Sequence, residues 1–135
     1  MIYLLDTNIV IAAMKGVASV RHKLETTPVS CLVLSPIVLG ELELGAEKSA
    51  YPERSRARLA SLVEDIPISP LDDETSRHYG RIRAQLERSG TPIGANDFWI
   101  AAQALALGAV AVTDNVGEFS RVPGLMIENW LEQKM

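Results

Sequence analysis

The stretch Ile2-Tyr3-Leu4-Leu5-Asp6-Thr7-Asn8-Ile9 decides how the rest of the chain is interpreted. Four apolar residues run directly into a carboxylate, two short polar residues follow, and an apolar-periodic segment begins at Ile9. This pattern predicts a buried strand that ends at Asp6 and turns into a helix. In open α/β sheets, ligands bind beyond the carboxyl ends of the strands. Asp6 therefore stands where such a protein places a functional acid.

The composition is that of an ordinary globular protein. A chain of 135 residues is long enough for a genuine core, and a hydrophobic fraction of 47% argues against disorder. The net charge of −4 means that the protein as a whole does not attract nucleic acid electrostatically. An acidic pocket would account for part of this negative charge. Cys31 is the only cysteine, which excludes an internal disulfide and fits a reducing cytosol. We see no signal-peptide pattern and no apolar run of bilayer length, so we expect a cytoplasmic protein without membrane contact.

Apolar strands and helices alternate along the chain. Further buried strands are predicted at 31–34 and 109–113, a weak edge strand at 66–68, and a short final strand at 125–127. Besides the helix after Asp6, helices are predicted over 17–26, 36–48, 52–65, 72–88 and 96–107. The alternation favours an α/β fold with a mostly parallel sheet covered on both faces. No repeat, low-complexity tract or linker divides the sequence, so we expect residues 1–135 to form a single domain.

Two further acids lie inside predicted helices. The residues beside Glu41 at helical spacing are Ile37, Val38, Leu44 and Gly45. We therefore expect Glu41 to face the sheet. The alternative is a carboxylate that reaches solvent at the helix rim or pairs with an arginine. Asp97 lies in the first turn of a nearly all-apolar helix, where the helix dipole favours an ionised acid. The alternative is that Asn96 or Asp97 is simply the N-cap.

A fourth acid, Asp114, follows Thr113 at the end of a strong strand, although an Asp-Asn pair is also typical of a turn. Together the acids can reach one rim of a parallel sheet, where crowded carboxylates repel one another. A hard cation such as Mg²⁺ or Mn²⁺ resolves that repulsion through oxygen ligands, and the lack of clustered His or Cys argues against zinc. Such a site suits phosphodiester hydrolysis by a metal-activated water.

Contacts to RNA are less evident from the sequence. An acidic protein that binds RNA must present its basic residues locally. Arg77 and Arg81, four apart on one predicted helix, are candidate contacts, with an ordinary solvated face as the alternative. Thr7 and Asn8 are candidates for orienting a phosphate or a metal-coordinated water, although a plain helix start requires no such role.

Four motifs carry a resemblance to a known family. They are Leu4-Leu5-Asp6-Thr7-Asn8, Ser35-Pro36-Ile37-Val38-Leu39-Gly40-Glu41-Leu42, Ala95-Asn96-Asp97-Phe98-Trp99-Ile100-Ala101-Ala102 and Val112-Thr113-Asp114-Asn115-Val116-Gly117-Glu118-Phe119. Their order and spacing resemble PIN-domain proteins, and are most similar to the VapC-type toxins of bacterial toxin–antitoxin pairs. The resemblance covers essentially the whole chain, including Arg121-Val122-Pro123-Gly124-Leu125 near its end.

This resemblance implies a three-layer α/β sandwich, with a central sheet of four to five strands flanked by helices. It implies an Mg²⁺-dependent endoribonuclease, with Mn²⁺ as an alternative ion, that cleaves tRNA or rRNA. It assigns the metal site to Asp6, Glu41 and Asp97. It also implies a cognate VapB-type antitoxin that reaches into the active-site groove, a homodimer, and a larger hetero-oligomer with the antitoxin.

One position departs from the family pattern. Many members carry a fourth acid two residues after the threonine, where this chain has Asn115. Asp114 is one residue early and Glu118 three residues late. We assign Asp114 a catalytic and metal-binding role, with Glu118 or the amide oxygen of Asn115 as alternatives. Thr113 and Asn115 are further candidates for contacts around the ion or the substrate.

Other classes of acid-pocket protein fit less well. A phosphotransfer receiver needs a pair of acids after its first strand and a lysine after a late strand, but Asp6 stands alone and no lysine follows Val112. Phosphatases with an aspartate nucleophile need a second aspartate where this chain has Asn8. Two alternatives stay open within the family: a nuclease of RNA processing that is not a toxin, and a silent domain that only binds a partner. Retention of Glu41 and Asp97 together with Asp6 speaks against a silent domain.

Overall fold

The computed structural model describes residues 1–131 and contains one sheet of four parallel strands in the order β2-β1-β3-β4. The strands are β1 (Tyr3–Leu5), β2 (Leu32–Val33), β3 (Val110–Val112) and β4 (Met126–Glu128). In the pairing register, Leu4 lies between Val33 of β2 and Ala111 of β3. The prediction of a mostly parallel sheet is confirmed. Because β1 and β3 are the interior strands, the residues that follow them meet at the same edge of the sheet.

Seven α-helices flank this sheet in the described part of the chain. They are α1 (Thr7–Met14), α2 (Ala18–Thr26), α3 (Pro36–Glu47), α4 (Pro52–Val63), α5 (Asp73–Arg88), α6 (Ala95–Leu107) and α7 (Val116–Phe119). The Ser35 side chain caps α3 by accepting a hydrogen bond from Ile37 N at 3.1 Å, and Pro36 occupies the first helical position, as the sequence predicts. The five predicted helices agree with α2 to α6 within about two residues.

Two local predictions need correction, and one short helix was missed. The strand predicted at 31–34 is shorter, because Val29–Cys31 forms a 3₁₀ turn and only Leu32–Val33 is extended. Residues 66–68 form no strand but a single bridge between Leu34 and Ile68, which is consistent with the missing donor at Pro67. The short helix α7 was not predicted, since four residues carry too little periodicity to identify one.

The core lies between the sheet and the helices. Leu4 and Leu5 of β1 are fully buried together with Phe98, Ile100 and Phe119. Each such side chain contributes about 1.5–3 kcal/mol when it is removed from water. Helices α5 and α6 pack along each other and are joined by the short segment 89–94. None of the helices in residues 1–131 combines the length and apolar character that a membrane span requires.

Candidate active site

Asp6 is the buried centre of the site, with 4% of its surface exposed. It is the N-cap of α1, where its Oδ1 accepts a hydrogen bond from Thr7 N at 2.8 Å. Its Oδ2 accepts from Thr113 Oγ1 at 2.7 Å and from Asn8 Nδ2 at 3.1 Å. Burial raises the pKa of the Asp6 carboxyl, and these hydrogen bonds act in the opposite direction. The carboxylate is therefore held in one orientation by Thr7 and Asn8 of α1 and by Thr113, the residue that follows β3.

Glu41 of α3 joins the site through a hydrogen bond from Thr7 Oγ1 to its Oε1, 3.0 Å long. The expectation that it lies within an apolar face is only partly correct. Its neighbour Leu44 is 55% exposed, and the buried residues of α3 are Val38, Leu42 and Ala46. Glu41 consequently lies at the border of the buried face, where its carboxylate reaches the rim and still meets solvent.

Asp97 occupies the third position of α6, and Gly94 is the N-cap. Neither Asn96 nor Asp97 therefore caps the helix, and that alternative is excluded. Burial raises the pKa of the Asp97 carboxyl to about 7, assisted by its hydrogen bond with the Glu118 carboxyl and by the negative charges of Asp6, Glu118 and Glu41. The four carboxylates thus lie within electrostatic reach of one another.

Glu118 and Asp114 lie in different surroundings. Glu118 Oε1 accepts a hydrogen bond from Gly94 N at 3.3 Å, and its Oε2 accepts one from Asn115 Nδ2. The Asn115 bond is the main cause of a lowered pKa of the Glu118 carboxyl. Asp114 is exposed, and its Oδ1 accepts from Asn129 Nδ2 at 3.0 Å. The structure therefore brings Glu118 beside Asp97, whereas Asp114 is bound to the segment after β4.

The loop after β3 connects these acids. Thr113 is fully buried, and its hydroxyl donates to Asp6 while accepting from Asn115 N at 2.9 Å. Asn115 Nδ2 also lies 3.4 Å from Asp97 Oδ2. The backbone N–H of Asp114 donates to Asn8 Oδ1 at 3.0 Å. Thr113 and Asn115 thus link Asp6 to the pair formed by Asp97 and Glu118.

Sequence reasoning missed Asn129, which bridges Asp114 Oδ1 and Leu131 N through its side chain. It follows the carboxyl end of β4, as Asp6 follows that of β1, so the rule that pointed to Asp6 would have found it. Arg77 and Arg81 are exposed on α5. The stacked rings of Tyr79 and Trp99, 3.9 Å between centroids, place the middle of α5 beside the first turns of α6. A role of Arg77 and Arg81 in RNA binding stays a prediction.

The donor set fits a hard divalent cation. The facing side chains offer carboxylate and amide oxygens, which Mg²⁺ and Mn²⁺ prefer. In residues 1–131 the ion pairs are Arg56–Glu47 and Arg83–Glu87, so none of them neutralises this cluster. Across the same residues, no three acidic, histidine or cysteine side chains are already arranged around a common ion position. Asp6 accepts three hydrogen bonds on about four lone-pair sites, so one of its positions stays open to an ion.

Comparison with known proteins connects this geometry to a family. The model of the PIN domain matches residues 3–125. The tRNA(fMet)-specific endonuclease VapC of Salmonella typhimurium is 39% identical over 128 residues, which cover 95% of this chain and 97% of that protein. The Shigella flexneri protein of the same name is 41% identical over 129 residues, with coverage of 95% and 97%. The crystal structure of VapBC2 from Rickettsia felis, bound to a DNA fragment from their promoter, matches with a TM-score of 0.91 at 38% identity, covering 96% of this chain and 99% of that one.

Proposed function

Because this chain belongs to the PIN-domain family, within the group of VapC ribonucleases, we propose that it is the toxin of a toxin–antitoxin pair and cleaves RNA with Mg²⁺. PIN-domain nucleases depend generally on a divalent metal, and the choice of Mg²⁺, with Mn²⁺ as a substitute, is part of the proposal. One observation carries it: the carboxyls of Asp6, Glu41, Asp97 and Glu118 share one rim without a neutralising ion pair in the described residues. The whole chain, residues 1–135, acts as a single domain in this proposal.

Asp6, Glu41 and Asp97 would hold the ion, with Glu118 as the fourth carboxylate and Asp114 as the alternative. When bound, a divalent cation supplies Lewis-acid activation of water and neutralises charge on the phosphate oxygens. The other residues orient these ligands. Thr113 and Asn8 fix the rotamer of Asp6, Thr7 holds Glu41, and Asn115 connects Asp97 to Glu118.

The substrate class follows from the relatives. Two of them are named tRNA(fMet)-specific endonucleases, so we take initiator tRNA as the first substrate to test, and rRNA as the second. Either substrate would place the activity in the cytoplasm.

The test is cleavage of purified initiator tRNA by the full chain. We expect cleavage with Mg²⁺ or Mn²⁺ and its loss in EDTA. Asp97→Asn should lower the rate at least about 100-fold, because it removes one charged ligand from the site. Asp65→Asn, at an exposed aspartate after α4, is the matched control and should cleave normally. Undiminished cleavage by a folded Asp97→Asn variant, or in EDTA, would contradict the metal mechanism.

We propose that a VapB-type antitoxin inhibits the enzyme, as the structural neighbours are VapBC complexes. The uncompensated carboxylates favour an inhibitor that inserts an arginine or lysine among them, since charge-assisted hydrogen bonds to carboxylates are strong. We also expect the toxin to form a homodimer within a larger complex. A structure of the inhibited complex tests this, and an interface that leaves the Asp6 rim open to solvent would refute it.

A further inference from the structure

Arg121 follows Glu118 by one helical turn at the end of α7, where Arg121 N donates to Glu118 O at 3.0 Å. Both side chains contact the segment that leads into α6. Glu118 Oε1 accepts from Gly94 N at 3.3 Å, and Arg121 Nη1 donates to Pro92 O at 2.9 Å. Because Gly94 caps the helix that carries Asp97, Arg121 lies at the border of the acid cluster.

The Arg121 side chain has capacity for a further partner. A guanidinium carries five N–H donors, and the bond to Pro92 O uses one of them. The residue is exposed, and it forms no ion pair within residues 1–131. The pKa of the Glu118 carboxyl is lowered first by its hydrogen bond from Asn115, and the charge of Arg121 adds a smaller effect in the same direction.

Other arginines are placed less favourably. Arg77 acts on Asp72 at the start of α5, and Arg83 is already paired with Glu87. Arg58 donates to Met14 O at the last residue of α1, whereas Asp6 lies at the first turn of that helix. An acidic protein that binds RNA must offer cations locally, because phosphate neutralisation supplies much of the affinity.

We propose that Arg121 binds a backbone phosphate of the RNA beside the cleaved bond. The planar guanidinium suits phosphate recognition through paired N–H donors, and its anchor on Pro92 O orients the side chain along the rim. The inference rests on the proposed ribonuclease function and adds a residue that contacts the substrate without binding the metal.

Binding to RNA as a function of salt concentration tests this role. A fluorescently labelled initiator tRNA transcript is titrated with Asp97→Asn protein at several KCl concentrations, alone and combined with Arg121→Gln. Losing one phosphate contact should reduce the slope of log affinity against log salt by about 0.7 to 0.9. Arg21→Gln, the same substitution at an exposed arginine near Met14, at the end of α1 opposite Asp6, should leave the slope unchanged. Arg121→Lys keeps the charge and should keep the slope.

A purely structural role for Arg121 gives a different result. If the arginine only anchors the loop at Pro92, Arg121→Gln displaces the start of α6 and with it Asp97, so kcat falls in the otherwise wild-type chain. The slope of log affinity against log salt then stays unchanged, and this result would overturn the inference. Should Arg121→Gln unfold, Arg121→Met, which keeps the apolar stem, replaces it in the same titration. The proposed function is judged separately by the wild-type chain. If wild type cleaves no RNA, that function fails, whereas wild-type cleavage with an unchanged slope in the variant refutes only the role of Arg121.

Discussion

At the scale of single residues, the surroundings of Asp6 suit a carboxylate that keeps one position free for an ion. A carboxylate has about four lone-pair sites, and three donors already approach this one, from Thr7, Asn8 and Thr113. The remaining site is the one available to a cation. The buried Thr113 hydroxyl is both donor and acceptor: it donates to Asp6 Oδ2 and accepts from Asn115 N.

The identity of the fourth carboxylate is a prediction at this scale. Glu118 contacts Asn115 and Gly94 beside Asp97, whereas Asp114 is bonded to Asn129. We expect Glu118→Gln to weaken Mn²⁺ binding by about 10- to 100-fold and Asp114→Asn to weaken it much less. Isothermal titration calorimetry measures both. A larger loss in Asp114→Asn would reverse the assignment.

At the scale of elements, the position of α6 matters most, because this helix carries Asp97 at its start. Gln103 is fully buried on α6, and its Nε2 donates to Ser69 O at 2.7 Å. Ser69 N in turn donates to Leu34 O beyond β2, at 2.9 Å. The Gln103 side chain thus joins α6 to the segment that borders the sheet.

Gln103→Met should therefore destabilise the fold. The substitution keeps the side-chain length but leaves Ser69 O without its donor, which costs about 1–3 kcal/mol of unfolding free energy. It also removes the buried Gln103 Oε1, which has no hydrogen-bond partner within residues 1–131, so we expect a net loss of about 1 kcal/mol. Urea denaturation measures the loss. Gln85→Met, at an exposed glutamine on α5, should change the free energy by less than about 0.5 kcal/mol. Equal stability of the two variants would show that the Ser69 bond contributes nothing.

At the scale of the whole molecule, the acid cluster couples stability to pH and metal. Without the ion, the folded chain binds a proton at Asp97 up to a pH of about 7, whereas an unfolded aspartate releases it near 3.8. Between these values the folded state holds more protons, so this group lowers stability as the pH rises through that window. An ion that binds only the folded state raises the free energy of unfolding.

We therefore expect the thermal midpoint in EDTA to fall between pH 5.5 and pH 8, and to fall less in Asp97→Asn. Mn²⁺ at pH 8 should raise the midpoint of wild type and have little effect on the variant. Differential scanning calorimetry of both proteins provides the comparison. If the thermal midpoint depends on pH equally in wild type and Asp97→Asn, the Asp97 carboxyl is not the group that links stability to pH.

The sequence by itself determined the strand that ends at Asp6, the caps of α3, the parallel character of the sheet and the family. These features depend on local periodicity and on residues that neighbour one another in the chain. Only the tertiary structure decided that Glu118 lies beside Asp97, that Glu41 reaches the rim through Thr7, and that Arg121 is anchored on Pro92 O near the start of α6. Such contacts join residues far apart in sequence, and they depend on how the packed helices place one turn of each at the edge of the sheet.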